Sequence, residues 1–254
     1  VQTCALPISM WDVFCRVIDN HGDLGVCVRL ARQLAARGES VRLWIDDDQV
    51  LPWMAPDLAL DQQPRIQCLS WSQAQNPSYL RGLPASKVWI EAFGCELPES
   101  FVTHGVAQVQ ALGLRPPLWV NLEYLSAEPF VEHAHGLPSP VMSGPARGWT
   151  KHFFYPGFNE QTGGLLRESD LLQMQRDFDR TSVRRRWLPN DPQGLLVSLF
   201  CYEPAGLPSL LAHWSSHDQL WVTPGRSRAA WEAALGQVRP DPSILKQFHA
   251  LPYT

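Results

Sequence analysis

The stretch Trp11 to Gly25, WDVFCRVIDNHGDLG, decides the fold. Its first part, Trp11 to Ile18, is an apolar run of strand length. The Asp, Asn and Gly content of Asp19 to Gly25 predicts a loop. Beyond it Val26, Leu30 and Leu34, with Ala31 and Ala35 beside them, recur at helical spacing, and Gly38 supplies a stop. Val41 to Ile45 reads as a second strand. Strand, loop, helix and strand form a βαβ unit, so the two strands are predicted to be parallel.

The alternation continues outward. Arg65 to Leu69, Lys87 to Phe93 and Leu118 to Leu122 read as strands, and Pro98 to Leu112 as a helix. From Pro129 to Gly164 prolines alternate with glycines, which predicts an interdomain crossover carrying functional loops. A charged helix is expected over Ser169 to Trp187. Leu195 to Tyr202 and Leu220 to Thr223 then read as strands, and Leu207 to Ser215 and Arg228 to Leu235 as helices. The fold class is therefore α/β, with one full domain and the start of a second. The expected division is 10–128 for the N-terminal domain, 129–168 for the crossover and 169–254 for the second domain. Residues 1–9 stand apart: VQTCALPI reads as a translated sequencing adapter or a disordered tail, with Met10 as the native start.

Composition bounds the function. With 254 residues and 45% hydrophobic content the chain can bury a sizeable core. A net charge of −4 argues against non-specific nucleic-acid binding. Cys15, Cys27, Cys68, Cys95 and Cys201 sit in apolar runs without a CxxC pair, so reduced core thiols and a cytoplasmic location are expected. No apolar run has the length of a membrane span, so no membrane partner is expected. Eleven Trp and 22 Pro predict aromatic packing joined by stiff connections.

Asp19 and Asp23 are the sharpest candidates for chemistry. They flank Gly22 between a parallel strand and a helix, where open α/β sheets bind ligands. Gly22 and Gly25 allow close backbone approach, and the helix start favours an anion. The spacing equally allows Asp23 to cap the helix while Asp19 makes a turn. Glu123 and Glu128, after a strand end, could line a cleft or make buried hydrogen bonds. His133 and His135 lack a third ligand nearby and read as surface loop histidines, and Arg184 to Arg186 as a solvated helix face. No metal site is expected.

WDVFCRVIDNHGDLG (Trp11 to Gly25), VRLARQLAARG (Val28 to Gly38), VRLWIDD (Val41 to Asp47), WIEAFGCELPE (Trp89 to Glu99) and WVNLEYLSAE (Trp119 to Glu128) follow one another along the chain. GFNEQTGGLLRE (Gly157 to Glu168), FCYEP (Phe200 to Pro204) and ALPYT (Ala250 to Thr254) continue the series to the end. Together these motifs resemble the EarP family, protein-arginine rhamnosyltransferases that modify translation elongation factor P. The resemblance implies a GT-B glycosyltransferase: two Rossmann-like domains facing across a cleft, the first receiving the acceptor protein and the second the nucleotide sugar. It implies inverting transfer of rhamnose from TDP-β-L-rhamnose to an arginine side chain of elongation factor P, with no cofactor. Asp23 matches the position of the base and Asp19 the second loop carboxylate. Asn20, His21, Gly22, Phe200, Tyr202 and Tyr253 match donor-side positions.

Two departures are visible. The family loop usually has Phe or Tyr where this chain has His21. The family's Arg-Gly-Glu-Asp-Ser motif, which contacts the donor diphosphate, is absent; the resemblance implies that it belongs beyond Thr254 and that this chain is truncated and silent alone. Two alternatives stay open: a fragment that only docks elongation factor P, and a GT-B enzyme with another donor or acceptor.

Overall fold

The computed structural model describes residues 9–17, 21–187, 194–214, 217–238 and 248–250. In chain order the first elements are β1 (Met10–Cys15), α1 (Gly22–Ala36), β2 (Ser40–Ile45), α2 (Leu51–Met54), α3 (Pro56–Ala59) and β3 (Ile66–Ser70). Next come α4 (Trp71–Ala74), α5 (Pro77–Leu80), β4 (Val88–Ala92), α6 (Glu99–Leu112), β5 (Leu118–Leu122), α7 (Phe130–Ala134), β6 (Pro138–Pro140) and β7 (Thr150–Phe154). The remainder is α8 (Leu171–Asp177), α9 (Arg180–Trp187), β8 (Leu196–Leu199), α10 (Leu207–Ala212), β9 (Gln219–Val222), α11 (Arg226–Gln237) and β10 (Phe248–Ala250). The chain divides into two compact units, with the break between Ser169 and Asp170.

The first unit holds a seven-stranded sheet in the order β3-β2-β1-β4-β5-β7-β6. Every pairing from β3 to β7 is parallel, and β6 runs antiparallel to β7. β1 shows why both faces are covered. Val13 and Cys15 point into a core with Leu24, Cys27, Val28 and Ala31 of α1. Phe14 points the other way, into a core with Trp44, Trp89, Phe101 and Trp119. Side chains of a strand alternate between faces, so one short strand serves both layers. The second core is aromatic, as the tryptophan content predicts: Phe14 stacks on Trp44 at 5.3 Å and 5°, and Phe101 meets Phe14, Trp44 and Trp89 at 4.7, 5.7 and 5.0 Å. A Cβ on Gly105 of α6 would come within 2.3 Å of the Trp89 ring, so glycine there lets the helix lie against the indole.

The aromatic face also carries two ion pairs, one buried on both sides and one whose lysine is partly exposed. Asp12 accepts from Nε and Nη2 of Arg42, each at 2.7 Å, and from Trp44 Nε1 at 2.7 Å. Glu91 accepts from Lys151 Nζ at 2.7 Å and Trp119 Nε1 at 3.0 Å. Buried charges persist only where paired and hydrogen-bonded, and both pairs join neighbouring or near-neighbouring strands.

The second unit contains a three-stranded parallel sheet in the order β10-β9-β8. Leu207 and Leu211 of α10, Leu220 and Val222 of β9, and Ala234 of α11 form its core with Trp214.

Several boundaries differ from the sequence reading. β1 ends at Cys15 rather than Ile18, and β8 ends at Leu199 rather than Tyr202. The single charged helix expected over Ser169 to Trp187 is two, with Phe178 in extended backbone between them. α10 stops at Ala212. The segment 129–168 lies inside the first compact unit and adds β6 and β7 to its sheet. Its prolines and glycines shape the turns around two short strands, and proline is tolerated there because β6 is an edge. Cys15, Cys27 and Cys95 are buried free thiols, whereas Cys68 and Cys201 are only half-buried.

Candidate active site

In the first sheet the strand order reverses beside β1: the chain builds outward through β2 and β3, then returns to place β4 on the other side. The crevice at the carboxyl ends of β1 and β4 is the topological switch point, where ligands bind in open α/β sheets. Asp23 lies at that end, in the first turn of α1. The helix N-terminus favours its negative charge. The N-cap is His21, whose side chain makes no capping bond, and Gly25 N–H closes the first turn on His21 C=O at 2.9 Å. Asp23 is thus within the helix rather than at its cap position. Its Oδ2 accepts a hydrogen bond from Tyr124 Oη at 3.1 Å, across 101 residues of sequence.

Tyr124 follows β5. Its ring stacks on Phe93, after β4, at 4.4 Å and 21°. Phe93 has φ +55° and Gly94 φ +67°, so the chain leaves β4 through two consecutive left-handed residues. A non-glycine residue there is strained, and such strain gathers at functional sites. Phe93 N–H is anchored on Leu122 C=O at 2.7 Å, which ties the exit of β4 to the end of β5. Partial desolvation of its hydroxyl, together with the adjacent Asp23 charge and hydrogen bond, pushes Tyr124 up to about 12. The phenol is therefore a neutral donor at any physiological pH.

Below this surface the Cys95 and Cys27 thiols stay protonated. Cys95 is pushed up to about 12 by burial, with Glu91 adding to the shift, and its Sγ–H donates to Phe14 C=O at 3.4 Å. Cys27 is raised well above the usual thiol range by its bond to Cys15 and by burial. One turn along α1 from Gly25, Arg29 clasps Glu168. Nε and Nη2 donate to the two carboxylate oxygens at 2.6 and 2.9 Å, and Nη2 also reaches Leu166 C=O at 3.0 Å. These bonds hold Glu168 down at about 2. They fix the end of the GFNEQTGGLLRE segment against the helix that carries Asp23.

Among the other residues singled out from sequence, Gly22 opens α1 and His21 precedes it, with its ring edge-on to Trp53 at 5.5 Å. Asp19, Asn20 and Tyr253 lie outside the described residues. Phe200 and Tyr202 both follow β8, at the carboxyl edge of the second sheet, and are exposed. That loop is pinned to the start of α11, since Cys201 N–H donates to Ser227 Oγ and Ser227 Oγ–H to Cys201 C=O, both at 2.8 Å. The Arg226 guanidinium lies 5.3 Å from the centre of the Tyr202 ring. Glu123 binds Asn121 Nδ2 through Oε1 at 2.7 Å, a structural bond beside the site. His135 accepts Tyr155 N–H at 3.1 Å, and no group of His, Cys, Asp or Glu suited to a metal occurs among the described residues. No helix among them is long and apolar enough to cross a membrane.

The sequence reading missed Tyr124 and Phe93. Phe93 lies within WIEAFGCELPE, and Tyr124 lies within WVNLEYLSAE beside Glu123. The available signal was position: each follows directly on a parallel strand, at the ligand edge of the sheet.

A Pseudomonas putida protein named protein-arginine rhamnosyltransferase is 42% identical over 243 residues, covering 90% of this chain and 61% of its own. The protein of that name from Pseudomonas aeruginosa is 42% identical over 217 residues, covering 80% and 54%; one from Neisseria meningitidis is 39% identical, covering 75% and 47%. The chain thus spans roughly half to three-fifths of the length of these relatives. Among solved structures, LpCGTa in complex with UDP covers 96% of this chain and 70% of its own at 11% identity and a TM-score of 0.46, too low to carry an inference. The sequence model described as Elongation-Factor P (EF-P) rhamnosyltransferase EarP matches residues 11–249, nearly the whole chain including the strand-to-helix turn of Asp23 and the loop after β8, and the chain belongs to that family.

Proposed function

We propose that the complete gene product transfers rhamnose from TDP-β-L-rhamnose to an arginine side chain of elongation factor P, with inversion at the sugar carbon, in the cytoplasm. The observation that carries this reading is the carboxylate of Asp23 at the switch point of the first sheet, within a family match that spans the chain. The two units would serve as the acceptor and donor halves of a GT-B enzyme.

The chemistry asks for a particular kind of help. An arginine guanidinium stays protonated far above physiological pH, and a carboxylate is too weak a base to deprotonate it in the ground state. Asp23 therefore orients the guanidinium through charge-assisted hydrogen bonds. As the C–N bond forms, the bond from the sugar carbon to the diphosphate oxygen breaks and TDP departs with the electron pair. In the same step the nitrogen passes its proton to Asp23, which accepts it as the C–N bond forms. Asp19 supports the guanidinium or Asp23. Phe200, Tyr202 and Tyr253 contribute aromatic contacts to the nucleotide, and Asn20, His21 and Gly22 line the donor side. No metal ion or cofactor enters the proposed reaction.

The test is mass spectrometry of purified elongation factor P incubated with TDP-β-L-rhamnose and the complete gene product. Transfer to one arginine is expected, with Asp23→Asn reducing the rate about 100-fold or more while donor binding persists. Undiminished transfer by a folded Asp23→Asn variant would falsify the role of Asp23, and transfer of another sugar in preference would overturn the donor.

A further inference from the structure

We infer that Tyr124 is a positioning residue for the Asp23 carboxylate, held in place by the strained Phe93. The inference rests on the reading of Asp23 given above and adds a residue to it.

Three observations converge. Tyr124 Oη donates to Asp23 Oδ2 at 3.1 Å and thereby links the end of β5 to the first turn of α1. These elements flank the switch point on opposite sides of β4, so the bond spans the crevice opening. The Tyr124 ring cannot rotate freely, because Phe93 stacks on it at 4.4 Å and 21°. Phe93 reaches that position only through a left-handed backbone at φ +55°, fixed by its N–H on Leu122 C=O. The strain of an aromatic residue at positive φ therefore has a geometric product, a ring laid flat against Tyr124.

A carboxylate that must meet a guanidinium and then take its proton depends on orientation. A misplacement of about 1 Å can cost 100-fold in rate. A hydrogen bond to one oxygen from a rigid phenol fixes the rotation of the carboxyl group without neutralising it. Tyr124, half exposed, can do so from the solvent side of the site, and its hydroxyl remains a donor rather than a competing base.

The experiment measures kcat and KM for both substrates in the complete gene product carrying Tyr124→Phe, Phe93→Leu or Asp23→Asn, and in the Asp23→Asn/Tyr124→Phe double variant. Tyr124→Phe keeps the ring and the stack but removes the donor. The expected result is a fall in kcat of about tenfold, with KM for the nucleotide sugar and the melting temperature unchanged. Phe93→Leu should lower kcat in the same sense. Adding Tyr124→Phe to Asp23→Asn should cost no further rate, since the hydroxyl acts through that carboxylate. Wild-type kcat in Tyr124→Phe, beside an Asp23→Asn variant slowed about 100-fold, would overturn the positioning role and leave the reading of Asp23 standing. Undiminished activity in Asp23→Asn would instead overturn that reading. An equal further loss in the double variant would show that Tyr124 acts independently and would likewise overturn the inference.

Discussion

Replacing Asp12 by Ala removes the counter-charge of Arg42 inside the aromatic face of the first sheet. Asp12 is fully buried and Arg42 is 3% exposed, so the guanidinium cannot reach water without moving the strand. Three hydrogen bonds to Asp12 disappear, from Arg42 Nε and Nη2 and from Trp44 Nε1; among the described residues the guanidinium keeps the bond from Nη1 to Pro84 C=O, at 3.1 Å. Leaving one partner of a buried pair uncompensated costs about 3–5 kcal/mol. A cavity of about 10 Å³ beside Arg42, Pro84 and His104 has room for about one water, which favours the lower half of that range. Against a domain stability of about 5–15 kcal/mol this is a large fraction. With a urea dependence of about 2 kcal/mol per molar, the midpoint should fall by roughly 2 M. Urea unfolding at pH 7, followed by tryptophan fluorescence, measures it. The Asp12→Ala/Arg42→Met double variant should be more stable than Asp12→Ala alone, because the stranded charge is gone. A single-variant cost below about 1 kcal/mol, or costs that add in the double variant, would refute the account of a paired charge held in an apolar layer.

Gly105→Ala should destabilise the chain by about 1–3 kcal/mol in the same unfolding assay despite the better helix propensity of alanine, because its Cβ meets the Trp89 ring at 2.3 Å. Tyr202→Ala in the complete gene product should weaken TDP binding by about 1–3 kcal/mol by calorimetry if the exposed ring stacks on the base; unchanged affinity would give the ring a structural role, such as its contact with Arg226. The Tyr124 phenol should ionise near 12 by ultraviolet difference titration against Tyr124→Phe, and Asp23→Asn should bring it back toward 10.0. Glu168 should titrate near 2 rather than 4.5 by NMR; its depressed value means that the stabilisation from Arg29 is present above the unfolded value and is lost as pH falls through about 2. Both side chains are about one-third or more exposed, so solvent screening keeps that contribution below about 1 kcal/mol.

The parallel sheet was legible because its strands are continuous apolar runs separated by helical periodicity. Leu118 to Leu122 coincides with β5, and Val41 to Ile45 falls short of β2 by one residue. Apolar runs overstate a strand's end where apolar residues run on after the last ladder pairing. Val17 is an example: its N–H turns to Asp46 Oδ1 instead of to a neighbouring strand. The two strands in 129–168 carried no such signal. β6 is Pro-Ser-Pro, and β7 is Thr-Lys-His-Phe-Phe, whose Lys151 is polar in sequence yet points at Glu91 across the sheet. Of the site, Asp23 was visible because a carboxylate in a glycine-containing turn after a strand is a local pattern. Its contact with Tyr124 depends on bringing β5 near α1 and on a positive φ at Phe93, neither of which is written in any short stretch of sequence.

The short β6 strand also governs what the first sheet can join. Leu137 C=O accepts from Phe153 N–H and Val141 N–H donates to Trp149 C=O, so the odd-numbered residues face β7 and the even-numbered ones face outward. Pro138 and Pro140 occupy those outward positions, where a backbone N–H would otherwise offer itself to a passing strand. That rim displays carbonyls without donors. An extended segment from another molecule can therefore make only half of a ladder there, which protects this edge against sheet-to-sheet aggregation.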